Sequence, residues 1–213
     1  GVVASEQMAK ALKKFSKPKV ALIREVGASG AYWAATSADY IIADPLSITG
    51  SIGVIGSYLD FSGLMQKYGI NYDQLISGKY KDTGSPYKNL TDDEHKLLQS
   101  KIDLIHNYFI NEVAKNRNMP ISQATKLADG SFYLGIEAKD NGLIDELGGK
   151  EEAINKIKEL TNITDVYVIN YGKKSALASL FSSAMSYNSY YIGKGIASEF
   201  NQKVNTNNLD IKT

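Results

Sequence analysis

The sequence predicts an α/β fold: a mostly parallel sheet flanked by helices, followed by a helical C-terminal part and an arm. Two patterns point there. Short apolar runs alternate with helical periodicities through the first half of the chain, as in the strand–helix–strand units that build parallel sheets. One of those runs, Val20-Ala21-Leu22-Ile23 with Val26, enters a helix through a turn of small residues, Gly27-Ala28-Ser29-Gly30. With 213 residues, 43% hydrophobic and 22% charged, the chain has a globular balance and the length of one full core.

Taken in order, Ser5 is placed to cap a first helix, with Met8, Ala11, Leu12 and Phe15 on one face. That helix should stop before Pro18, because the residue ahead of a proline avoids helical dihedrals. Lys19 to Val26 reads as one buried strand, and Ala31 to Ala38 as a small-residue helix. Tyr40-Ile41-Ile42-Ala43 is a short strand closed by Asp44-Pro45. The stretch Ile48-Thr49-Gly50-Ser51-Ile52-Gly53-Val54-Ile55-Gly56 has glycines that permit close backbone approach. Phe61 to Tyr68 reads as a helix and Asn71 to Ile76 as a strand.

Thr91-Asp92-Asp93-Glu94 is a capping box, and the helix it opens carries Leu97, Leu98, Ile102, Ile105, Phe109 and Val113 on one face. It should end near Met119-Pro120, followed by short helices over Ile121 to Ala128 and Gly135 to Asn141. Leu143 to Gly149 connects to a helix over Glu151 to Leu160, and Val166 to Ile169 reads as a late strand. The expected division is one domain over 1–171 and an arm or partly ordered tail over 172–213, where Ser, Ala, Asn and Tyr dominate.

Composition excludes several functions. A formal net charge of +1 offers no global attraction to nucleic acid or acidic lipid. The absence of cysteine removes disulfides, thiolate catalysis and cysteine-zinc sites. No run approaches the ~18 apolar residues of a membrane helix. The two histidines, His95 and His106, share the long helix without the carboxylate spacing of a zinc motif. They read as surface or lateral-core residues, and neither a metal nor a cofactor is expected.

The candidate nucleophile is Ser29, since a tight strand-to-helix turn can expose a hydroxyl at the positive end of a helix. A serine hydroxyl needs a base within hydrogen-bond reach. Lysine can serve if burial and poor solvation bring its pKa from ~10.4 toward ~7–8. Lys81, in Ser77-Gly78-Lys79-Tyr80-Lys81-Asp82-Thr83, is a candidate among small and hydroxyl residues, with Lys79 two residues away. The backbone N–H of Gly30 is a candidate oxyanion donor. Tyr32, Trp33, Ile55, Tyr58 and Leu59 are candidates for substrate pockets, although core packing is expected to claim Trp33 and Ile55.

Three motifs in succession, Ala28-Ser29-Gly30-Ala31-Tyr32-Trp33, Thr49-Gly50-Ser51-Ile52-Gly53-Val54 and Ser77-Gly78-Lys79-Tyr80-Lys81-Asp82, resemble those of the signal peptide peptidase A family (protease IV). Ser85-Pro86, Leu127-Ala128-Asp129-Gly130 and Gly142 to Gly148 extend the resemblance, which runs from Gly1 to about Leu160. It implies a Clp protease/crotonase-like fold and a serine peptidase without a cofactor. Ser29 then matches the nucleophile, Lys81 the general base, and Ser51 a serine whose hydroxyl orients the lysine amine. It further implies cleavage of signal-peptide remnants or other apolar membrane-derived peptides. A homo-oligomer whose protomers share active sites is implied too, as are an N-terminal membrane anchor and a catalytic domain outside the cytoplasm. The family's upstream oxyanion loop and first strands have no counterpart here, so the chain is expected to be N-terminally truncated. The alternatives are a crotonase-type acyl-coenzyme A enzyme, which would need neither Ser29 nor Lys81, and an inactive scaffold.

Overall fold

The computed structural model describes residues 1–171; the expected arm over 172–213 lies outside the described residues. Gly1–Val166 forms one compact unit, and Tyr167 opens a second. The described chain runs α1 (Val2–Lys14), β1 (Val20–Ile23), β2 (Val26–Ala28), α2 (Gly30–Ala35), β3 (Tyr40–Ala43), β4 (Ile48–Gly50) and α3 (Ser62–Lys67). It continues through α4 (Asp92–Asn116), α5 (Ile121–Lys126), β5 (Phe132–Leu134), α6 (Gly135–Asp140), β6 (Glu146–Leu147) and α7 (Lys150–Thr161).

The strands form two three-stranded sheets, ordered β1-β3-β6 and β2-β4-β5. Every pairing is parallel except β4 with β5. The α/β class and the mostly parallel sheet are therefore as expected. At the centre of the first sheet, Ile41, Ile42 and Ala43 are all buried, as an unbroken apolar run requires when both faces of a parallel strand are covered.

The strand expected over Lys19 to Val26 is in fact two. Arg24 and Glu25 are exposed between β1 and β2, because two charged side chains cannot sit inside a covered strand. The chain steps there from the first sheet to the second, and the Asp44–Pro45 corner makes the same step between β3 and β4. Backbone bonds mark the parallel course, Asp44 N donating to Ile23 O at 3.0 Å and Ile48 N to Glu25 O at 2.8 Å.

Other expectations need correction. Asn71 to Ile76 forms no strand: it pairs with nothing among the described residues, and Leu75 is 98% exposed. Val166 to Ile169 forms none either. Ser5 is not a cap; α1 starts earlier, at Val2, and the Ser5 hydroxyl donates back to Gly1 O within the helix.

Polar anchors sit where the elements meet. The buried Tyr32 hydroxyl of α2 donates to Leu143 O at 2.8 Å, two residues ahead of Asp145. Asp145 takes Arg117 in a bidentate pair at 2.7 and 2.9 Å and also accepts the Ile41 N–H at 2.7 Å. Trp33 of α2 stacks on Phe109 of α4, centroids 4.7 Å apart and planes 13° off parallel. The helix that follows Ser29 is thus fixed from two directions. Replacing Tyr32→Phe leaves a buried carbonyl without its donor and should lower stability by about 1–2 kcal/mol. Urea unfolding reads this as a lower midpoint at unchanged m.

Candidate active site

Ser29 and Ser51 stand at corresponding positions. In the parallel β2–β4 pair Ala28 is in register with Gly50, so each serine is the first residue beyond the paired ends. Neighbouring strands lie about 4.8 Å apart, which sets the two turns side by side. Ser29 N donates to Gly50 O at 2.7 Å, and the buried Thr49 hydroxyl donates to Gly27 O at 2.9 Å, tying the strands together just before they release the serines.

Both serines have positive φ, 53° at Ser29 and 50° at Ser51. Left-handed backbone at a residue other than glycine is costly, and such residues cluster at functional sites. Ser29 itself is exposed and lies just before α2. Gly30 is the first residue of α2, so its N–H is among the first-turn donors that have no intrahelical acceptor. A side chain at Gly30 would overlap the Ser5 hydroxyl, so glycine lets α1 and α2 meet here.

A cavity of about 410 Å³ opens at Ser29 and Gly30. Gly1, Val2 and Ser5 from the first turn of α1 form one wall, and Val54, Ile55, Ile105 and Phe109 form another. The N-terminus of α2 borders this space and favours negative charge within it. An adjoining apolar cavity of about 530 Å³ shares Val2, Trp33 and Ile105 and adds Leu104 and Tyr108.

Of the candidate pocket residues, Tyr32 is core and Trp33 is buried while forming a wall of both cavities. Ile55 corrects the expectation of core packing. It is 89% exposed at the Ser29 cavity, because the chain beyond Gly53 leaves the sheet without regular structure. Tyr58 faces a different hollow, beside His95 and Leu98 of α4, and Leu59 is exposed.

The Ser51 turn is supported from behind. Ser51 N donates to Ser131 O at 2.9 Å, and a Cβ on Gly53 would sit 2.9 Å from Gly130 Cα, so only glycine permits that approach. His106, half-buried on α4, places Nε2 at 3.2 Å from Ile52 O. This contact joins distant segments, and no local motif in the sequence signals it.

Lys81 is exposed in a run of turns, its N–H donating to Gly78 O at 3.1 Å. It is not among the residues that line the Ser29 cavity, so the single chain brings together Ser29, Gly30 and Ser51 but not Lys81. The neighbouring lysines are occupied. Lys79 pairs with Asp93 at 2.8 Å and is held more firmly as the ammonium by that carboxylate. Lys88 lies 2.7 Å from Glu94 and 3.0 Å from Asp82, which raise its pKa likewise. Lys81 forms no ion pair among the described residues. Those residues also hold no cluster of side chains suited to a metal ion and no helix long and apolar enough to cross a membrane.

The sequence model of peptidase family S49 matches residues 11–164. The chain belongs to peptidase family S49. Similar proteins include a putative protease of Methanocaldococcus jannaschii, 40% identical over 197 residues, covering 92% of this chain and 63% of the relative. A putative signal peptide peptidase of Enterococcus faecium is 37% identical over 174 residues, covering 80% of this chain and 51% of its own. The S49 chain thus spans about half to two thirds of the length of these two relatives. Among solved structures, a peptidase from Plasmodium falciparum aligns at TM-score 0.42 and 14% identity, over 70% of this chain and 66% of that one.

Glu94 gives the S49 domain a pH signature. Its carboxyl is pulled down to about 2, first by Lys88 and then by the Thr91 N–H. A carboxyl with a depressed folded-state pKa adds stability above its ordinary value of 4.5, and that stability is lost as pH falls from there toward 2. Wild type should therefore lose its margin over Glu94→Gln across that window, and the two should converge near pH 2. Thermal melts from pH 7 down to 2 measure it.

Proposed function

We propose that this S49 domain is a serine endopeptidase in which Ser29 is the nucleophile and Lys81 the general base. What supports it most is the paired geometry of Ser29 and Ser51, two strained serines on adjacent strand ends, with Ser29 opening onto a cavity at the N-terminus of α2. Ser29 Oγ attacks the scissile carbonyl as its proton passes to a neutral lysine amine. The Gly30 N–H donates to the oxyanion. The lysine then returns the proton to the leaving amine, and water, deprotonated in turn by the lysine, hydrolyses the ester. Ser51 orients the lysine amine through its hydroxyl. No step needs a cofactor.

Lys79 and Lys88 are each held by carboxylates, which leaves Lys81 as the lysine of this segment with no carboxylate partner among the described residues. Because Lys81 does not border its own Ser29 cavity, it acts at the serine of a neighbouring protomer in this proposal. Residues 55–80 suit such an assembly, with Ile55, Leu59, Leu64, Tyr68 and Leu75 between 55% and 98% exposed. The apolar cavity adjoining the one at Ser29 suits peptides with apolar side chains, which fits signal-peptide remnants or other membrane-derived segments. A membrane-anchored protein with its catalytic domain outside the cytoplasm would meet such substrates.

In the complete protein, Ser29→Ala and Lys81→Ala should each lower kcat for a fluorogenic apolar peptide by a thousandfold or more, roughly the loss of a nucleophile or its base. Oligomeric state should be unchanged, checked by light scattering. The wild-type rate should rise with pH as the base loses its proton. Activity that survives Ser29→Ala would favour an acyl-coenzyme A enzyme, and activity that survives Lys81→Ala would remove the lysine from the mechanism.

A further inference from the structure

We infer that Lys88 is a positioning residue for Lys81: by taking up the carboxylates of Asp82 and Glu94, it fixes the Lys81 turn and leaves the Lys81 amine without an anionic partner. The inference rests on Lys81 being the base. Asp82 directly follows Lys81, and its side chain is only 9% exposed. A carboxylate withdrawn from water needs a cation or several donors. Lys88 supplies the cation at 3.0 Å.

The other end of the cluster is built into α4. Glu94, with its side chain 4% exposed, takes Lys88 at 2.7 Å and the Thr83 hydroxyl at 3.3 Å. Its second oxygen accepts the Thr91 N–H at 2.9 Å and the Thr91 hydroxyl at 3.0 Å. One carboxylate thus joins residues 83, 88 and 91 to the first turn of the long helix. Of the other charged or titratable groups on that turn, Asp93 is held by Lys79, while Asp92 and His95 are exposed and contact neither Lys88 nor Asp82. Tyr80, beside Lys81 in sequence, lies under Lys79 at 4.9 Å.

Removing the Lys88 charge would leave Asp82 and Glu94 as sheltered anions without a cation, and of the two Asp82 is one residue from the base. An anion so placed favours the protonated amine. The base would then be neutral only at higher pH, and catalysis would shift with it. A clamp with a merely structural role would, when cut, lower the rate equally at every pH.

The complete protein in its native assembly tests this, with pH–rate profiles for an apolar peptide and competitive trace acetylation of Lys81 read by mass spectrometry. Lys88→Met should move both the acidic limb of kcat and the half-point of Lys81 acetylation up by about 1 pH unit, with about a tenfold loss of rate on that limb. KM should stay within about twofold. Lys88→Arg should restore both positions, and so should the double variant Asp82→Asn/Lys88→Met, which removes the anion adjoining Lys81 and leaves only Glu94, still held by Thr83 and Thr91. Lys88→Gln replaces Lys88→Met if the latter does not fold. A uniform loss of rate with neither position moved overturns the inference. A fully active Lys81→Ala overturns the dyad instead, and the acetylation half-points then still decide whether Lys88 shields Lys81 from Asp82.

Discussion

The parallel pairing of β2 with β4 is the constraint on which the rest of the site depends. Because Ala28 lies opposite Gly50, Ser29 and Ser51 leave the sheet together, and the Thr49–Gly27 bond keeps that register from slipping. A one-residue slip in a strand turns every side chain to the other face. Here it would also separate the two serines. Everything behind the pair serves to hold it: Tyr32 and Trp33 lock α2, while Gly130, Ser131 and His106 back the turn at Ser51.

The serine half and the lysine half are stabilised by different physics. Around Ser29 the contacts are main-chain bonds between paired strands, close glycine approaches and apolar stacking of α2 on α4. Around Lys81 they are ion pairs and turns that fasten an irregular segment to the start of α4. One half is held by the core packed behind it. The other keeps its shape because charges inside it are matched, and that is also what leaves one lysine uncommitted.

Much of this was legible in the residues. The small-residue turn at Ser29, the strand over Tyr40 to Ala43 and the Thr91 capping box each have a strong local cause, and all three formed where their patterns point. The short strands β4, β5 and β6, of two or three residues, give no period to read. The Arg24–Glu25 break was visible as two charges, yet its meaning depends on the second sheet that receives β2. Asn71 to Ile76 shows the reverse error: an apolar pattern is a strand only where a neighbour can bond it. At the site, motif order pointed to Ser29, Ser51 and Lys81. The His106–Ile52 and Lys88–Asp82–Glu94 contacts were not legible, since they depend on how loops lie against α4.

The positive φ at Ser29 and Ser51 bears on what this fold can gain or lose over evolutionary change. Each left-handed serine costs about 1–3 kcal/mol, against a net stability of about 5–15 kcal/mol for a typical domain. Glycine would relieve that strain at either position but would remove a hydroxyl. If the two hydroxyls carry the proposed chemistry, a lineage released from it would drift toward glycine at 29 and 51 and gain stability. The two serines persist in this chain against that gradient.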